Sequence, residues 1–123
     1  MKIIFLIALT LLANAARADW VKMGEIGEGS LYMDPVTVVR DGPIHKVWEL
    51  MDLDVRAEEG AMSRRLQVAY DCSKGRTKVL SISVHDGSMA SGRKLLSVEH
   101  EGHWKQVPPE TAYAVAFKKV CAP

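Results

Sequence analysis

The chain has 123 residues, 48% of them apolar and 25% charged, and its 16 Lys+Arg nearly balance its 15 Asp+Glu. That length holds one small domain, and the balance lacks the basic excess that nucleic-acid binding shows, so no nucleic-acid partner is expected. Beyond the first residues no stretch is apolar enough to cross a bilayer.

The N-terminal segment MKIIFLIALTLLANAARADW carries a basic Lys2, an apolar run from Ile3 to Ala13 and an A-x-A site at Ala16-Arg17-Ala18. These are the three parts of a secretory signal peptide, and the run is short of the ~20 residues that a membrane helix needs. Residues 1–18 are therefore expected to be removed after Ala18. The remainder, 19–123, is expected as one mature domain in the periplasm or the medium, with no stable membrane insertion. Losing Lys2 and Arg17 leaves 14 basic residues against 15 acidic ones. Long-range steering is then weak, and affinity for a partner should depend only moderately on salt.

Two short strands are predicted next, Trp20 to Met23 and Ser30 to Met33, punctuated by Gly24, Gly27 and Gly29. Asp34-Pro35 is expected to break the second one and to start a short helical turn in DPVTVV. Val36 to Arg40 then leads through the turn dipeptide Asp41-Gly42 into a long strand, Ile44 to Val55. Both faces of that strand carry apolar residues, so it is expected in the middle of a sheet. Arg56 to Ser63 reads as an exposed loop. Strand Arg64 to Cys72 follows, and a Ser73-Lys74-Gly75 turn joins it to a strand in which Leu80, Ile82 and Val84 alternate with Val79, Ser81 and Ser83. Asp86 to Gly92 is expected as a flexible loop, Arg93 to Val98 as a strand, and EHEGH as a polar turn before Trp104.

The C-terminal segment PPETAYAVAFKKVC changes period. Pro109 suits the first position of a helix, Glu110 its first turn, and Lys118 and Lys119 its last. Tyr113, Ala116, Phe117 and Val120 form one apolar face. The expected fold class is α+β, an antiparallel sheet of five to six strands with one C-terminal helix packed on it.

Cys72 and Cys121 are the two cysteines. In an oxidising compartment they are expected to pair; buried free thiols, a nucleophile or a metal ligand are the alternatives. A Cys72–Cys121 bond would close a loop of about 50 residues and contribute about 4 kcal/mol by the chain-entropy estimate.

Several of these residues together resemble the bacterial surface-adhesin protein E family. They are Asp19-Trp20, Tyr32 with Asp34-Pro35, VWELMD at Val47 to Asp52, Asp71-Cys72, the glycine-containing loop around Met89, Trp104 with Pro108-Pro109, and Cys121. The resemblance covers nearly all of the mature chain. It implies a small exported domain with a sheet, a terminal helix and a disulfide. It also implies a role like that of the outer-membrane adhesin, binding host proteins, from which the family takes its name. That adhesin is a lipoprotein, whereas no cysteine follows the cleavage site here to accept a lipid.

Candidate sites are few. His100 and His103 form H-E-G-H beside Glu99 and Glu101, with His85 as a further donor, but zinc wants four ligands of defined geometry. A solvated turn is the expected reading, with no metal or cofactor. Asp52 and Asp71 are expected to accept hydrogen bonds or to pair with Arg64, Arg65 or Arg76 rather than to act as an acid–base couple. Trp20, Trp48 and Trp104 are expected in the core or at its rim. No enzymatic constellation emerges, and binding without catalysis is expected, the partner being a protein or an envelope component. The contact candidates are Met89, Arg93, Lys94, His100, His103 and Trp104, because glycine-containing loops reshape cheaply and Arg and Trp concentrate binding energy. The alternative is a periplasmic inhibitor of a hydrolase such as lysozyme. Ser91 to Ser97, SGRKLLS, is faintly similar to the Ser-Gly loop of such inhibitors.

Overall fold

The computed structural model describes residues 18–99 and 101–123, so the expected leader lies outside the described residues apart from Ala18. Strands β1 (Val21–Ile26), β2 (Gly29–Asp41), β3 (Ile44–Leu53), β4 (Ser63–Asp71), β5 (Arg76–His85) and β6 (Lys94–Glu99) pair in chain order as an antiparallel meander. A two-residue β7 (Lys105–Gln106) pairs with Thr77 and Arg76 of β5, on the same edge as β6. Helix α1 (Ala112–Val120) follows. The α+β architecture is the one expected. β7 adds a short strand, and β3 is central, flanked by β2 and β4.

Strand register decides which side chains share a face. Leu31 and Met33 of β2 stand opposite Met51 and Glu49 of β3, and Val47 and Glu49 stand opposite Val68 and Leu66 of β4. This face is the core. Leu31, Met33, Val47, Leu66, Val68 and Tyr70 pack with Ala112, Ala116 and Val120 of α1. The helix lies mainly over β1, β2 and β3, toward the opposite side of the sheet from β6. Leu96 and Val98 of β6 are accordingly exposed.

Asp34-Pro35 does not end β2, and DPVTVV is not helical. The strand runs through with a bulge between Asp34 and Val39. Pro35 has no N–H for the ladder, and side chains take over its work. Asp34 Oδ1 accepts from the Val36 N–H at 3.1 Å. Thr37 Oγ1 donates to the Asp34 carbonyl at 2.7 Å and accepts from the Trp48 N–H across the sheet at 3.0 Å.

The helix begins three residues later than expected. Glu110 takes φ 58°, outside helical space, and Thr111 is the N-cap, its Oγ1 accepting from the Ala114 N–H at 3.2 Å. Tyr113 and Phe117 flank the buried stripe, with Phe117 6.0 Å from the Tyr70 ring. Cys72 and Cys121 are bonded, with their Cα atoms 5.6 Å apart. The bond ties the end of α1 to the β4–β5 turn.

Gly29 opens β2 where the backbone of β3 passes closest. A Cβ there would lie 1.9 Å from the Asp52 carbonyl oxygen and 2.9 Å from Leu53 Cα. Gly29→Ala must therefore push two strands apart, and a loss of about 2 kcal/mol in urea unfolding is expected. A variant as stable as its parent would contradict the close approach.

Candidate binding surface

Among the described residues no α-helix covers the face of the sheet opposite α1. Two cross-strand rows occupy it. One runs Tyr32, Leu50, Arg65, Ser83, Ser97, and the next runs Asp34, Trp48, Gln67, Ser81, Glu99. The Arg65 guanidinium lies 3.8 Å from the centre of the Trp48 ring. Nearer the β4–β5 turn, Trp104 stacks under Arg76 at 4.8 Å and Lys78 at 4.6 Å. These cation–π stacks hold long cationic side chains in place at the surface. Trp48 and Trp104 are thus rim residues that position charge.

One end of this face is roofed by the segment from Asp86 to Gly92. Ser63 Oγ donates to the Gly87 carbonyl at 2.6 Å and accepts from the Ala90 N–H at 2.8 Å, while Asp52 Oδ1 accepts from the Met89 N–H at 2.8 Å. Asp86 Oδ1 accepts from the Arg93 N–H at 2.6 Å, which leaves no room for a side chain at Gly92; a Cβ there would meet that oxygen at 2.2 Å. The expectation of a loop free to reshape around a partner is therefore corrected. The segment is a short 3₁₀ turn bonded to two strands.

The contact candidates fall at two ends of one edge. Met89, Arg93 and Lys94 sit at the β5–β6 connection, Lys94 opposite His85. His103 and Trp104 sit beside β7, where Thr77, Val79, Ile82, Gly102, His103 and Lys105 surround an open recess of about 280 Å³. β6 joins the two clusters. His100 lies outside the described residues. His85 is buried and its Nε2 lies 2.9 Å from Ser83 Oγ, on the open face. Among the described residues no carboxylate bonds its other ring nitrogen, so this Ser–His pair lacks the orienting group of a catalytic triad. The one trio of potential metal donors among the described residues is His45, Cys72 and Cys121, and both of its sulfurs are in the disulfide.

Asp71 and Asp52 are far apart, at opposite ends of β4's pairing with β3. Asp71 accepts from the Ser73 N–H and hydroxyl and from Arg76 Nε at 3.1 Å; bonds from Ser73 and Arg76 hold its carboxyl below the usual carboxylate range. Both aspartates accept hydrogen bonds, as expected. The titratable group that sequence reasoning passed over is Glu49, buried under α1 and accepting from the Tyr70 hydroxyl. Burial pushes its carboxyl up to about 7, and the Tyr70 bond offsets this only in part. A glutamate flanked by Trp48 and Leu50 inside VWELMD was the available signal.

The geometry defines a class, a single-sheet domain braced by one helix and one disulfide that presents an ordered polar face. Residues 20–122 match the profile of surface-adhesin protein E, and the chain belongs to that family. Its fold is similar to that of Haemophilus influenzae protein E. Crystal form II of that protein superposes with TM-score 0.68 at 16% identity, covering 86% of this chain and 89% of the other. A structure of protein E from non-typeable Haemophilus influenzae gives TM-score 0.64 at 17% identity, covering 89% of this chain and 79% of the other. No curated protein matches the chain.

Proposed function

We propose that the chain is an exported, non-enzymatic binding protein whose contact surface is the uncovered sheet face together with its β6–β7 edge. The observation that carries this reading is the uncovered face itself, where Arg65, Arg76 and Lys78 stack on indole rings. Side chains that are already ordered lose little entropy on binding, which is how a shallow surface gains affinity. Family membership agrees with a binding role. Of the contact candidates, Lys94 and Trp104 border this face directly, and Arg93 and Met89 act through the turn that roofs it. The leader is removed after Ala18, which delivers residues 19–123 outside the cytoplasm.

Beads coated with the exported protein should adhere saturably to host-cell layers, and the soluble protein should compete. The same preparation should leave lysozyme active. Stoichiometric lysozyme inhibition that vanishes on deleting Ser91 and Gly92 would overturn this reading in favour of an inhibitor.

A further inference from the structure

We propose that a recess on the uncovered face, floored by Ser81, Ser83 and Ser97 and walled by Arg65 and Lys94, takes the acidic sugar unit of a glycan. This rests on the binding role proposed above and names its ligand class.

The shape comes from the residue types. Ser81 and Ser83 of β5 and Ser97 of β6 point to the same side, next to the bulky Trp48–Arg65 stack. Serine fills little space, so three together leave a hollow of about 150 Å³. Lys94 and Glu99 close its outer side. The scale is that of a single pyranose ring.

The charges then select the ligand. Neither Arg65 nor Lys94 has a carboxylate partner among the described residues, whereas Arg64, Arg76 and Lys78 each have one. Arg65 and Lys94 thus place two cations at this spot. Burial chiefly, and then Lys94 and Arg65, hold the neighbouring His85 imidazole below its ordinary value, with Asp86 opposing them. Two cations beside one carboxylate, Glu99, leave an uncompensated positive charge for an anionic group. The serine hydroxyls and Glu99 supply donors and acceptors for ring hydroxyls. Trp48 and Ile82 are the apolar members of a lining that is otherwise polar or charged, which suits a hydroxylated ring better than an apolar peptide side chain. Arg65 is already fixed on Trp48, so engaging an acid costs little side-chain entropy. A carboxylate or a sulfate on the sugar meets the same requirement.

The test is calorimetric titration of the exported protein, produced from the full chain, with four probes. These are a hyaluronan tetrasaccharide (carboxylate only), a heparin tetrasaccharide (sulfate and carboxylate), cellotetraose (neutral) and inorganic sulfate. At least one acidic tetrasaccharide should bind about tenfold or more tighter than cellotetraose and than free sulfate. The two acidic probes show which acid is preferred. Arg65→Gln with Lys94→Gln should weaken binding about tenfold or more. Ser97→Leu, which fills the hollow and keeps both cations, should abolish it while the unfolding midpoint stays near that of the parent. Equal binding of neutral and acidic probes, binding that survives Ser97→Leu, or no saccharide binding would each overturn the proposal. If saccharides fail while bead adhesion persists, this inference falls and the binding role stands; if adhesion also fails, the binding role falls with it.

Discussion

Replacing Cys121 with alanine should lower the stability of the domain by about 4 kcal/mol, the chain-entropy value for a bond that spans 49 residues. For a domain whose total is in the usual range of about 5–15 kcal/mol, that is a large share. The mechanism is local to α1. Val120, fully buried, sits one residue from the bond, and without it the helix end is held by weaker ties. These are His45 Nδ1 to the Val120 carbonyl at 2.9 Å and Arg40 to the Ala122 carbonyl at 2.9 Å. Urea unfolding of Cys121→Ala, Cys72→Ala and the double variant measures the effect. All three should lose a similar amount, since each removes the same bond. A loss below about 1 kcal/mol would show that packing alone seats the helix.

Glu49 should make the protein more stable in mild acid than in mild alkali. Its carboxyl is raised from an ordinary 4.5 to about 7 in the folded state. A raised acid favours the protonated folded form. The stability it contributes is therefore fully present below pH 4.5 and is lost as pH rises through about 7. The difference between the two limits is about 3 kcal/mol at 1.36 kcal/mol per pKa unit. Glu49→Gln keeps an acceptor for the Tyr70 hydroxyl and cannot ionise. It should flatten the stability profile between mild acid and pH 8 and leave the variant more stable than its parent at the alkaline end. Parallel profiles for the two proteins would contradict the assignment. Asp71 works in the opposite sense. Its lowered carboxyl contributes stability above the ordinary aspartate range that is lost on strong acidification.

Much of the fold was legible because it depends on local patterns. The Lys74-Gly75 turn, the alternation in β4 and β5, and the Ala116–Val120 stripe each follow from periodicity and turn chemistry within a few residues. The pairing of Cys72 with Cys121 followed from the cysteine count and the expected compartment. What escaped depends on partners distant in sequence. Pro35 stays within β2 because the Thr37 hydroxyl meets Trp48 on the next strand. The segment from Asp86 to Gly92 looks mobile from its glycines, yet Asp52 and Ser63 bind it from 37 and 27 residues away. β7 has two residues and no period to detect.

The candidate surface was legible in part. Its outer members, Lys94 and Trp104, stood out as cationic and aromatic types beside loops. Its centre did not, because Ser81, Ser83 and Ser97 read only as the polar half of an alternation. Register brings Ser81, Ser83 and Ser97 together beside Arg65, and nothing in the local sequence records that meeting.

Site-specific photo-crosslinking on the exported protein, incubated with host-cell layers, tests most directly where the partner is met. Benzoylphenylalanine would replace Gln67 or Glu99 on the uncovered face, and Val115 or Lys119 on the outer side of α1. Adducts from positions 67 and 99, with none from 115 and 119, are the predicted result. Adducts confined to the helix positions would contradict the assignment of the uncovered face as the binding surface.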